Sequence, residues 1–230
     1  MSLDPRQRVF VALDLPSLPE ALALAELLGD DAPRVKVGLE LFVAAGPDAL
    51  RAFATRGREV FLDLKLHDIP ETVRRAAEAA AAHGARFLTV HAEGGRAMLE
   101  AAVLGAGASC RVLAVTVLTS LARADLQADG HPLDPAELCV RRAKLAVEAG
   151  CAGVVASPRE AAAIRAAVGD RPLIVTPGVR PDGTPLGDQK RVDTPRAAIA
   201  AGASAVVVGR PIRDAADPRA ALRAILAELT

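Results

Sequence analysis

The sequence predicts an α/β fold, a (β/α)8 (TIM) barrel built as one domain over residues 1–230. Three observations carry this reading. Eight short runs rich in β-branched residues alternate with longer Ala-, Leu- and Arg-rich segments of helical spacing, which is the pattern of a parallel sheet with crossover helices. Eight such units in 230 residues match a closed barrel better than an open sheet, and no Gly-x-Gly-x-x-Gly or Walker loop follows any run, which weakens the doubly wound alternative. Polar residues also recur at the C-terminal ends of the runs, where such a barrel builds its site.

The elements follow in order. The first run, 9–15, is apolar apart from Asp14 near its end. The second, 35–39, carries Lys36 in a buried-looking Val-Lys-Val-Gly setting, where a lysine seldom lacks a partner. The third, 60–65, ends in Asp63 and Lys65; the fourth, 87–91, ends in His91, and Gly84 ahead of it stops the preceding helix. The fifth, 112–118, contains Thr116 and leads to Thr119. After Gly150 the sixth, 153–157, runs into Ser157-Pro158, a capping hydroxyl before a first-turn proline. Gly169 closes the next helix, and the seventh run, 173–177, carries Thr176. Thr194-Pro195 opens another helix and Gly202 stops it; the eighth run, 205–209, ends in Gly209 beside Arg210, and a last helix, 218–229, follows. The longest irregular stretches, 120–134 and 179–193, lie beyond strand ends and so on the catalytic face of a barrel.

Composition narrows the function class. A hydrophobic content of 51% suits one substantial core. Lys and Arg total 28 against 28 Asp and Glu, and there is no Trp or Tyr, so neither a basic footprint nor an aromatic stacking surface for nucleic acid is present. No apolar run approaches membrane-spanning length, and the first residues lack a signal-peptide core. Cys110, Cys139 and Cys151 are odd in number and widely spaced, which predicts buried free thiols and a reducing, cytoplasmic setting.

The densest chemistry lies in Asp63-Leu-Lys-Leu-His-Asp-Ile-Pro70. By strand alternation Asp63 and Lys65 point to one side, with Asp68 just before the next helix. A structural ion pair is the simplest account of them. Against it, two like charges roughly 4 Å apart repel by ~4 kcal/mol at an effective dielectric near 20, and buried charges are kept only when paired. If Lys36 points inward, Asp63 is its natural partner, and Asp14 completes an alternating Asp, Lys, Asp, Lys line.

A second group lies near the end of the chain: Thr176-Pro-Gly-Val-Arg180, Gly187-Asp-Gln-Lys190 and Val208-Gly-Arg210. Loops after strands 7 and 8 of a barrel often hold phosphate on backbone N–H groups, with Gly209 allowing close approach and Arg180, Arg210 and Gln189 supplying donors. Taken singly, the arginines also read as solvated surface residues.

Other chemistries are weakly supported. The four histidines show no metal-ligand spacing. A divalent ion on Asp14, Asp63 and Asp68 competes with Lys36 and Lys65, which already neutralise those carboxylates. A Schiff base through Lys65 needs a neutral amine, and two adjacent carboxylates favour the protonated form. A divalent ion on those three carboxylates stays open at this point.

Taken together, the segments Val11-Ala-Leu-Asp14, Val35-Lys-Val-Gly38, Asp63 to Pro70 with Thr72, Val115-Thr-Val-Leu-Thr-Ser120, Thr176 to Arg180, Gly187-Asp-Gln189 and Val208-Gly-Arg-Pro-Ile212 resemble the bacterial form of the orotidine 5′-phosphate decarboxylase family. They occur in the family's order and cover nearly the whole chain. The resemblance implies a homodimeric barrel with shared active sites that converts a nucleoside monophosphate, orotidine 5′-monophosphate, into UMP and carbon dioxide without a cofactor. It implies that Lys65 protonates C6, that Asp63 lies near the departing carboxylate, and that Asp14 and Lys36 contact the ribose. It places Thr119 on the pyrimidine amide edge, Arg180, Gln189, Gly209 and Arg210 on the phosphate, and Asp68 and Thr72 in the neighbouring subunit's site. The loop 179–193 is the expected lid, and Glu93, in the glycine-rich turn after His91, has no assigned role.

Two rivals stay open at this point. Sister barrels acting on sugar phosphates resemble the chain through Asp63, Lys65 and Asp68, but they use magnesium with an acidic residue where Lys36 stands here. A non-catalytic barrel that senses a nucleotide is the other, and it has no need to bury so many charges.

Overall fold

The computed structural model describes residues 4–180 and 193–230. Eight parallel strands close into a barrel in chain order. They are β1 (Val9–Ala12), β2 (Arg34–Gly38), β3 (Glu59–Leu66), β4 (Ala85–His91), β5 (Arg111–Val115), β6 (Gly153–Val155), β7 (Leu173–Pro177) and β8 (Ala205–Val208). The helices among the described residues are α1 (Leu18–Leu28), α2 (Leu39–Ala45), α3 (Pro47–Ala54), α4 (Pro70–Ala82), α5 (Gly95–Ala106), α6 (Arg123–Ala128), α7 (Pro135–Glu148), α8 (Pro158–Val168), α9 (Pro195–Ala200), α10 (Arg210–Arg213) and α11 (Pro218–Glu228). All eight expected strands are present, and strand β8 pairs with β1 through Val9 opposite Val206 and Val11 opposite Val208.

Local chemistry explains the helix boundaries. Proline at the first turn recurs because its fixed φ suits a helix start and its missing N–H is one the helix cannot use there. Ser157 accepts the N–H of Arg159 at 3.2 Å and Thr194 accepts that of Ala197 at 3.1 Å, as their positions before prolines predict. Gly169, with φ 75°, stops α8 by donating its N–H to the Arg165 carbonyl at 3.0 Å.

The strands divide their side chains between two cores, and this division positions the site. Odd residues of β1 and β3's Val60 and Leu62 face the helices, in one continuous apolar layer. Phe10, Phe61, Phe87, Leu113, Val155, Val175 and Val207 face the barrel axis. The rings of Phe10 and Phe61 lie 5.1 Å apart at 60°, and those of Phe10 and Phe87 5.1 Å apart and nearly perpendicular, a favourable edge-on arrangement. This aromatic plug fills the barrel below the C-terminal rim. The next inward position along β3 is Asp63 and along β4 is Thr89, one pleat above Phe61 and Phe87.

One irregularity matters. Between Leu62 and Leu66, β3 advances four residues while β4 advances only from Leu88 to Val90. The two extra residues form a bulge, and Lys65 in it takes φ 53°, the positive-φ non-glycine conformation found at no other described residue. Such a conformation costs roughly 1–3 kcal/mol and persists only where its surroundings hold it.

Several details differ from the sequence reading. Strand β1 stops at Ala12, so Asp14 lies in the turn beyond it, and β5 stops at Val115, leaving Thr116 and Thr119 in the following loop. The stretch 120–134 is not wholly irregular, since it holds the short helix α6, whose first turn is fixed by the Ala122 N–H donating to Asp125 Oδ2 at 2.8 Å. Ser157 is a helix cap and not part of β6. The three cysteines are free and buried as expected, and burial pushes the Cys110 thiol up to about 11 and that of Cys151 to about 12.

Candidate active site

At the C-terminal rim the inward residues of β2 and β3 and the turn after β1 meet in a line of alternating charge. Lys36 Nζ donates to Asp14 Oδ1 at 2.7 Å and lies 3.8 Å from Asp63 Oδ2, and Lys65 Nζ donates to the same Asp63 oxygen at 2.8 Å. Two carboxylates and two ammoniums thus form one formally neutral chain. Lys36 is 6% exposed, and at such burial an ammonium is tolerated only because both neighbours are anions.

Asp63 receives a second hydrogen-bond donor. Thr89, fully buried on β4, donates its hydroxyl to Asp63 Oδ1 at 2.9 Å and accepts the Lys65 backbone N–H at 2.8 Å. Burial pushes the Asp63 carboxyl up, but the Lys36 and Lys65 charges and the hydrogen bonds from Lys65 and Thr89 outweigh it and hold the group below its ordinary value. Asp63 is therefore an anion at neutral pH. Simple strand alternation is not what brings Lys65 to it: the bulge re-aims the lysine, and Thr89 pins the bulge.

Gly38 makes room for the first pair. A Cβ there would stand 2.3 Å from Asp14 Oδ1 and 2.7 Å from Lys36 Nζ, so any larger residue would displace the Asp14–Lys36 contact. Lys36 Nζ also occupies the space between the two carboxylates where a bridging divalent ion would sit. Among the described residues, no three His, Cys, Asp or Glu side chains are grouped to hold a metal ion.

The charged line opens on a cavity of about 390 Å³. Asp14, Lys36 and Asp63 line it together with Arg180, Gly209 and Arg210. Arg180 follows β7 and is mostly buried, with its backbone N–H donating to the Asp193 carbonyl at 3.0 Å. Gly209 lies where an added Cβ would be 3.3 Å from the Ala12 Cβ, so the loop from β8 into α10 passes close over β1. The cavity thus joins members of the charged line to guanidinium groups, which are donors suited to an anion.

Other expected residues fall elsewhere. Asp68 is exposed and accepts the Ile69 N–H at 2.6 Å; it does not join Asp63 and Lys65 within this chain. Thr72, in the first turn of α4, is also exposed. Thr119 is half-buried in a turn closed by the Leu121 N–H on the Leu118 carbonyl at 3.0 Å. Gln189, Gly187 and most of the expected lid lie outside the described residues. Thr176 faces away from the barrel axis, since its neighbour Val175 faces inward, and its hydroxyl has no hydrogen-bond partner among the described residues.

Sequence reasoning missed two residues. Thr89 looked like an ordinary β-former. Arg213 also lines the cavity, and its Nη1 donates to the Asp14 carbonyl at 2.6 Å, fixing the turn that presents the Asp14 carboxylate. The only available signal for Arg213 was its spacing of three from Arg210, which puts both on one side of a short helix.

Comparison with known proteins agrees with this geometry. Residues 7–225 match the family described as orotidine 5′-phosphate decarboxylase / HUMPS. The orotidine 5′-phosphate decarboxylase of Anaeromyxobacter sp. (strain K) is 58% identical over 227 residues, covering 99% of this chain and 100% of that protein. That of Methylobacterium radiotolerans is 52% identical over 226 residues, covering 98% and 97%. The crystal structure of orotidine 5′-phosphate decarboxylase from Lactobacillus acidophilus superposes with a TM-score of 0.86 at 41% identity, covering 96% of this chain and 98% of that one. The barrel, the charged line at its rim and these likenesses over nearly the full length place the chain in the orotidine 5′-phosphate decarboxylase / HUMPS family.

Proposed function

We propose that this chain decarboxylates orotidine 5′-monophosphate to UMP and carbon dioxide, the last step of de novo UMP synthesis, with Lys65 as the acid that protonates C6. The observation that carries the proposal is the Asp14–Lys36–Asp63–Lys65 line, whose first three members line one cavity together with Arg180, Gly209 and Arg210.

When the bond from C6 to the carboxyl carbon breaks, carbon dioxide departs and the electron pair stays on C6 in the plane of the ring, out of reach of ring delocalisation. A fixed ammonium beside C6 stabilises that pair more than it stabilises the substrate, which is the condition for lowering the barrier. Lys65 supplies the charge and then the proton, and solvent restores the proton to its amine. The bulge and the 2.8 Å contact to Asp63 hold the ammonium in place before the reaction, so little reorganisation is needed as charge develops.

The remaining roles are those that the family resemblance implies. Asp63 lies next to the departing carboxylate, and Asp14 and Lys36 hold the ribose. Thr119 meets the pyrimidine amide edge. Arg180, Gly209, Arg210 and Gln189 hold the phosphate, whose remote binding energy offsets the ordering of the site. Asp68 and Thr72, exposed in the single chain, complete the site of a second copy in a homodimer. No helix among the described residues is long and apolar enough to cross a membrane, and three buried free thiols suit a reducing cytoplasm.

The test is direct. Purified protein with orotidine 5′-monophosphate and EDTA should show the absorbance change of UMP formation. No change would refute the proposal, and activity that requires added Mg²⁺ would favour a metal-dependent sister chemistry instead.

A further inference from the structure

One carboxylate, that of Glu93, links the two ends of the loop that carries Thr119, directly through His131 at one end and by way of Arg142 at the other. Glu93 sits in the single 3₁₀ turn Ala92–Gly94 after β4. Its Oε1 accepts Arg142 Nη2 at 2.9 Å and His131 Nε2–H at 3.0 Å. Arg142, from α7, is 9% exposed, and its Nη1 donates to the Thr116 carbonyl at 2.8 Å. Thr116 is where the chain leaves β5, three residues before Thr119, and its own N–H and hydroxyl both donate to the Val155 carbonyl at 3.1 and 3.2 Å. His131 stands at the far end of the same loop, where its backbone N–H donates to the Leu126 carbonyl of α6 at 2.8 Å.

We propose that Glu93, Arg142 and His131 form a clamp that sets where the Thr119 turn stands over the site, which makes them positioning residues for recognition of the base. This rests on the proposed contact of Thr119 with the pyrimidine. A buried guanidinium is retained only if its N–H groups are used, and here they divide between the exit of β5 and Glu93. Glu93 then passes the constraint to the other end of the loop through His131. Partial burial raises the Glu93 carboxyl, yet Arg142 and His131 more than offset it, so the carboxylate stays charged and keeps accepting both donors.

The test is a mutant cycle on kcat and KM for orotidine 5′-monophosphate, with thermal unfolding of each variant. Thr119→Ala, Glu93→Ala and His131→Ala should each raise KM, by on the order of fivefold to tenfold, and change kcat less, as loss of one or two positioning hydrogen bonds implies. Combining Glu93→Ala or His131→Ala with Thr119→Ala should raise KM no further than Thr119→Ala alone, because the clamp acts through that residue. If Glu93→Ala fails to fold, the His131→Ala cycle carries the same test, since His131 lies partly exposed. Effects that multiply, or single clamp variants with unchanged KM, overturn the clamp alone. An unchanged KM in Thr119→Ala overturns the assignment of Thr119 to the base, and the clamp with it.

Discussion

The Thr89 hydroxyl accepts the backbone N–H of Lys65 at 2.8 Å, and this bond holds the left-handed residue that presents the proposed acid. The same hydroxyl donates to Asp63, so one buried side chain sets both members of the closest pair in the site. Thr89→Val keeps the shape and removes both bonds. We expect it to lower unfolding free energy by about 1–3 kcal/mol, the range for leaving buried polar groups unpaired, and to lower kcat on the order of tenfold. Thr89→Ser should restore most of both. A folded Thr89→Val enzyme with the wild-type kcat would show that Lys65 needs no such support.

Asp63 gives a pH signature. Its carboxyl is held below the ordinary value in the folded protein, so on acidification the unfolded chain takes up the proton first. The stabilisation is complete above the unfolded value of about 3.9 and is lost as the pH falls through the folded one. The stability difference between wild type and Asp63→Asn should therefore be flat from about pH 7 to pH 5 and shrink below about pH 4. Denaturant titrations across that range check this; a difference that stays constant down to pH 3 would mean that Asp63 is not stabilised as its contacts indicate.

Asp68 tests the assembly. It is exposed and makes no ion pair with Lys65 in its own chain, so the proposed catalytic role is one it plays toward a second copy. Mixing inactive Lys65→Ala and Asp68→Ala subunits should restore some activity, because each mixed dimer regains one site with both residues intact. Demonstrated subunit exchange with no recovery would argue for self-contained sites.

How much of this was legible in the sequence depends on the range of the interactions involved. The eight strands were legible because each is a short β-branched run bounded by caps and glycines, all local signals. Asp14, Lys36, Asp63, Arg180, Gly209 and Arg210 were legible as charged or glycine residues at strand ends, and the structure brings them to one cavity. The bulge in β3 was not, since it exists only as a mismatch of register with β4. Thr89 was hidden because a threonine between apolar residues suits a strand whether or not its hydroxyl is used. Glu93 had no readable role because both its partners come from distant segments, one of them being one of two adjacent arginines on α7.

The central claim is that Lys65 is the acid, and turnover by Lys65→Ala tests it most directly. Lys65 is about one-third exposed, and its removal leaves Asp63 still bonded to Thr89 and near Lys36, so the variant should fold. With orotidine 5′-monophosphate at saturation and EDTA present, the account predicts a variant that unfolds cooperatively like the wild type and forms no measurable UMP. A folded Lys65→Ala protein that forms UMP at a near-normal rate would contradict it.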